Sequence, residues 1–153
     1  MTTSEVAALR GPLDAWRSAI DRYAPEDVAA VFTEDAVFQG LRPYTVGRPG
    51  VAAYYASQPP EMTVSYRILE SRRLAPDVVL GWVAADFSFP GLDRAPVLVN
   101  LTVVVRRDGD AWRIAHYHVS PRIAEDRLQQ PAGLLELPDR GGDPAPLGGQ
   151  VGP

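Results

Sequence analysis

The chain has 153 residues, 46% of them hydrophobic and 22% charged, and a net charge of −4. This length and balance fit one globular domain with a single core, while the acidic surplus and the scattered arginines exclude a nucleic-acid binder that relies on a basic surface. With no cysteine and no lysine in the chain, disulfides, thiolate nucleophiles, cysteine metal ligands and side-chain Schiff bases are excluded.

The start, MTTSEVAALR, has neither the basic nor the apolar region of a secretory signal. No apolar stretch approaches the roughly 20 residues of a membrane span, so a cytoplasmic protein without a membrane partner is expected. Val6, Leu9, Leu13, Trp16, Ile20 and Tyr23 recur at three-four spacing and predict a first helix with Ser4 as N-cap. Pro12 should kink that helix or start it anew. Pro25, Glu26 and Asp27 suit the first turn of a short second helix, and Ala36 to Gln39 reads as a brief strand. A third helix is expected around Val51 to Ser57. Its neighbours Tyr54 and Tyr55 diverge by about 100°, so one of them should face inward squarely.

Four long strands follow, near Met62 to Arg73, Val78 to Phe89, Ala95 to Arg107 and Ala111 to Ser120. Pro76-Asp77, Pro90-Gly91 and Asp108-Gly109 mark the turns between them. Helices followed by a strand meander give an α+β class: a curved antiparallel sheet wrapped around three N-terminal helices, forming an open cone. The domain is expected over residues 1–122, with 123–153 as a proline- and glycine-rich tail that builds no core of its own.

The segments RRDGDAWRIAHYHVSP (106–121) and FTEDAVF (32–38) resemble the nuclear transport factor 2-like superfamily. Within it the chain is similar to SnoaL-like and SgcJ/EcaC-type proteins found near bacterial polyketide gene clusters, and to the association domain of calcium/calmodulin-dependent kinase II. The resemblance covers roughly residues 5–122. It implies a pocket between the helices and the concave sheet face, and a homodimer through the sheet. The positions matching the steroid-isomerase tyrosine, base and sheet aspartate hold Trp16, Gly40 and Thr102 (or Asn100), so that chemistry is not expected. Those matching the association domain's pocket arginines hold Ala84, Thr102 and Val119. The implied partner is therefore a small apolar or aromatic molecule.

Alternation along the strands groups Leu80, Trp82, Ala84 and Asp86 on one face, and Asn100, Thr102 and Val104 on another. If these faces are concave, Asp86 is the candidate general acid or base, because apolar surroundings raise a carboxyl toward neutrality; the alternative is an Asp86 at the strand's wet end, solvated or paired with Arg94. Asn100 and Tyr117 complete the catalytic candidates, and Trp16, Phe38, Tyr54, Tyr55, Trp82 and Thr102 the substrate-binding ones. Tyr117 and Val119 are expected inward. His116 and His118, with Trp112 and Ile114, are expected on the convex face as packing residues, so no metal site is assigned. Asp35 is expected to make a turn bond. No phosphate loop, dinucleotide fingerprint or nucleophile elbow occurs, so no cofactor is expected. Three readings stay open: a cofactor-independent cyclase, isomerase or dehydratase of polyketide-type metabolism, a non-catalytic binding or assembly module, and a cofactor-free oxygenase.

Overall fold

The computed structural model describes residues 1–123; the expected tail over 124–153 lies outside the described residues. Helix α1 spans Thr3–Asp21. Its cap is Thr2 rather than Ser4: the Thr2 hydroxyl accepts from Glu5 N at 3.1 Å and the Glu5 carboxylate accepts from Thr2 N at 3.1 Å. This reciprocal pair is a capping box, and the T-x-x-E spacing that signals it is present in the sequence. Glu5 also accepts from the Ser71 hydroxyl at 2.7 Å, which ties the helix start to the sheet. The Ser71 bond, and then the Thr2 bond, hold the Glu5 carboxyl below the usual carboxylate range.

Pro12 neither kinks α1 into two helices nor begins one, because it lies inside the element. Leu9, Leu13 and Trp16 are fully buried on the same face. At about 1.5–3 kcal/mol per large apolar side chain, their burial outweighs the roughly 3 kcal/mol that a mid-helix proline costs.

Helix α2 spans Pro25–Ala30 with proline in its first turn. Strand β1 spans Phe32–Gln39, longer than expected, and β2, Thr45–Val46, pairs with it. Helix α3, Arg48–Ala56, starts at Gly47 (φ 96°), a left-handed position that favours glycine. The meander is β3 Thr63–Ala75, β4 Val78–Ser88, β5 Val97–Asp108 and β6 Ala111–Pro121, each strand within about two residues of its expected bounds.

The sheet order is β2-β1-β6-β5-β4-β3. The meander is antiparallel, but β1 joins β6 in parallel, which brings Phe38 beside Tyr117. The sheet is curved and unclosed, with the helices on its concave face. Among the described residues no helix is long and apolar enough to cross a membrane.

The inner face of the meander is Val79, Gly81, Val83 and Ala85 on β4, and Val99, Leu101, Val103 and Val105 on β5. The face assignment from alternation is therefore reversed for both strands. Trp82 stays 45% exposed, and Leu80, Ala84, Asp86, Asn100, Thr102 and Val104 share its outer face. Strand β4 reads V-V-L-G-W-V-A-A-D-F, apolar at odd and even positions alike, so period two alone does not orient it. What does is α1, whose Leu9 occupies the space a side chain at Gly81 would need: a Cβ there would lie 2.8 Å from a Leu9 methyl.

On β6 the register shifts between Val104↔His116 and Val105↔Ile114, leaving Ala115 as an extra residue. The bulge switches parity. Ile114 is thus fully buried instead of convex, Trp112 packs against the core, and Tyr117 and Val119 face inward as expected. His116 and His118 remain on the outer face.

Candidate functional site

The cone interior is a cluster of aromatic rings. Phe38 stacks on Tyr117 at 4.6 Å between ring centroids and meets Tyr54 at 4.9 Å; Trp16 meets Phe87 at 6.0 Å and Tyr117 at 6.2 Å. Such edge and offset contacts are worth about 0.5–1.5 kcal/mol each beyond burial. The cluster leaves a cavity of about 40 Å³ between α3 and the inner sheet face. Tyr55, Tyr117, Phe87 and Val99 are among its walls, and Leu41, Tyr54, Gln58 and Arg94 also border it. That volume holds about two or three waters. A polycyclic substrate does not fit it as it stands, whereas one ring enters if surface side chains such as Leu41, 54% exposed, give way.

Tyr54 and Tyr55 both border the cavity, with Tyr55 the one that faces inward squarely. Tyr55 is buried and Tyr54 half-buried, with ring centroids 5.1 Å apart. Gly40 makes room for the Tyr54 ring: a Cβ at Gly40 would lie 2.7 Å from it. Trp16 and Phe38, expected to touch the substrate, stand one layer behind the wall, fully buried; their part is to position the tyrosines.

Three polar groups meet in this dry interior. The Tyr55 oxygen accepts from the Trp16 indole N–H at 3.0 Å, and Tyr117 borders the same cavity. Burial pushes the Tyr55 phenol far above its ordinary range, the bond from Trp16 opposing the shift in part. Burial, and then the neighbouring Tyr55, push Tyr117 up as well. Both stay protonated at any physiological pH and act as donors, not as bases. The Tyr55 proton makes no hydrogen bond to another described residue, and an oxygen already accepting a bond donates more strongly.

Among the described residues no carboxylate or imidazole lines the cavity. Asp86, the expected acid or base, lies on the outer face and forms an ion pair with Arg122, which also donates to Val99 O at 2.7 Å. Asn100, Thr102 and Trp82 are outside with it. Asp35 accepts from the Thr33 hydroxyl at 2.9 Å and from Arg106 at 3.2 Å. These bonds, Thr33's first, hold its carboxyl below the usual range.

A larger recess of about 630 Å³ opens beside α1, α2 and the start of β6. It is shallow and apolar, the Arg22–Asp27 pair at its edge is satisfied at 3.0 Å, and it is remote from the tyrosines.

Helices held in the concavity of a curved, unclosed sheet, with an aromatic and hydroxylic interior, define an α+β cone. The profile of the family described as SnoaL-like domain matches residues 10–124, and the chain belongs to that family. No curated protein sequence matches it significantly. It is similar in structure to a Nostoc punctiforme domain of unknown function with a cystatin-like fold (TM-score 0.70, 20% identity, 84% of this chain and 83% of that one). A ketosteroid isomerase-like protein from Erwinia carotovora atroseptica superposes with TM-score 0.67 at 22% identity over 80% and 100% of the two chains. A candidate calcium/calmodulin-dependent protein kinase type II association domain from Thiobacillus denitrificans gives 0.62 at 26% over 73% and 93%. The expected superfamily and cone are thereby shown.

Proposed function

We propose that this protein binds a small aromatic carbonyl compound in the cone, with the ring among Tyr117, Phe87 and Val99 and the carbonyl oxygen on the Tyr55 hydroxyl. The observation that carries this reading is the Trp16–Tyr55 hydrogen bond, which fixes one phenolic donor in a cavity that, among the described residues, no carboxylate or imidazole lines. A rigid donor in a dry site costs little reorganisation on binding and is stronger there than in water. Tyr117 serves as wall beside the ring, and Asp86 takes no part.

A second reading, a cyclase, isomerase or dehydratase of polyketide-type metabolism, is supported by family membership and by the same donor. A phenol that stays protonated is suited to stabilise the oxygen of an enolate as a neighbouring C–H proton leaves. The base would then belong to the substrate or to water.

Calorimetry with acetophenone tests the first reading and proton exchange the second. Tyr55→Phe is expected to weaken binding about tenfold and Tyr117→Phe less, as a lost hydrogen bond of about 1.4 kcal/mol predicts; Asp86→Asn should leave affinity unchanged. Absence of binding, or equal binding by Tyr55→Phe, would sink the reading. NMR in D2O then decides about chemistry: faster exchange of the acetophenone methyl protons with wild type than with Tyr55→Phe supports catalysis, and equal rates leave a binding module.

We also propose that the outer sheet face pairs with a second copy. Its central rows, Leu80, Trp82, Ala84, Asn100, Thr102, Val104, His116 and His118, hold no acidic or arginine side chain. Charges sit at the rim, on Arg67, Glu70 and Arg72 and in the Asp86–Arg122 pair. An uncharged centre within a polar rim is self-complementary, as a twofold contact requires. Light scattering should show a dimer at micromolar concentration and a monomer for Trp82→Glu. A wild-type monomer would contradict the pairing.

A further inference from the structure

We infer that Arg94 selects an anionic ligand, so that the aromatic carbonyl compound the cone takes also carries a carboxylate, which stays at the mouth while the ring enters. This rests on the cavity reading above and adds the ligand's charge to it.

Arg94 lies in the loop between β4 and β5. Two backbone bonds close that loop, Leu92 N to Phe89 O at 3.0 Å and Arg94 N to Leu92 O at 2.9 Å, and Gly91 takes the positive φ of 82° that the turn needs. The guanidinium carbon stands 4.0 Å from the centre of the Phe89 ring, a cation–π contact that holds the group over the buried wall without consuming its hydrogen-bond donors.

One alternative for Asp86 was an ion pair with Arg94, and Asp86 is held by Arg122 instead. Among the described residues the Arg94 side chain has no ion pair and no hydrogen bond, and it is the one charged group lining the cavity. Gln58 and Tyr54 line the same cavity with neutral polar groups. A planar fork of donors matches a carboxylate in a two-bond geometry, and its position outside the aromatic cluster leaves the charge partly hydrated while the ring is buried.

Calorimetry of wild type and Arg94→Met against cinnamate and its neutral amide, cinnamamide, tests this. Methionine keeps the apolar stem over Phe89 and removes the charge. Wild type is expected to bind cinnamate about tenfold more tightly than cinnamamide, a preference reduced by salt as for an exposed charge pair. Arg94→Met should lose that preference. Equal binding of the two probes by wild type, or a preference that survives in Arg94→Met, would overturn the role of Arg94 while the cavity reading stands on acetophenone. If acetophenone and both probes fail to bind, the cavity reading falls and this inference with it.

Discussion

Trp16→Ala is expected to destabilise the domain by about 3–5 kcal/mol, the range for emptying a buried aromatic site, and to lower the thermal midpoint by roughly 10–25 °C. The side chain is fully buried in the middle of α1, it meets Phe87 and Tyr117 edge-on or tilted, and its N–H holds the Tyr55 hydroxyl. Removing it opens a cavity behind the pocket wall and frees the donor that the proposed function needs. Trp16→Phe separates the two effects. It keeps most of the volume and should cost far less stability, yet it leaves Tyr55 without its indole bond and should weaken acetophenone binding. Urea unfolding followed by circular dichroism measures the first effect and calorimetry the second. A Trp16→Ala loss below about 1 kcal/mol would mean that the interior collapses onto the vacancy, as well-packed cores do only in part.

Gly81→Val should cost about 1–3 kcal/mol by overpacking, whereas Trp82→Gln, one residue away, should change protomer stability by less than about 0.5 kcal/mol. A side chain at 81 would run into both Leu9 methyls, at 2.8 and 3.0 Å, and approach Val103 at 3.3 Å. Leu9 is fully buried and has no free space to retreat into, so α1 must lift from the sheet. The comparison is best made by urea unfolding at submicromolar concentration, where association through the outer face contributes least. The opposite ranking, with Trp82→Gln the costly change, would place Trp82 in the core and restore the face assignment that alternation alone suggests.

Much of this architecture was legible because the signals are local. Three-four spacing located α1, Pro25 opened α2, and Asp108-Gly109 closed the last hairpin, with Gly109 at φ 72°. The parallel β1–β6 pairing was not, since nothing in FTEDAVF names its distant partner. The site was less legible still. Asp86 drew attention because a lone carboxylate beside a tryptophan looks like buried chemistry, but both lie on the face that α1 does not cover. Tyr117 and the Tyr54-Tyr55 pair were found, since large amphipathic aromatics near a concave face belong to its lining. Arg94 was noticed only as a partner for Asp86; its stacking on Phe89 depends on how the β4–β5 loop closes.

By itself the sequence determined the class, the strand and helix spans, the family and the aromatic character of the interior, because each follows from residue type and short-range periodicity. Only the tertiary structure decided which face of β4 and β5 is inside. Both faces of those strands are apolar enough to be buried, so the choice fell to the helix that packs there: Leu9 fits over Gly81, and a bulge at Ala115 sets the parity of β6. That one choice moved Asp86 out, left Tyr55 and Tyr117 facing the cavity, and set Arg94 beside it with no acid among the described residues to neutralise it.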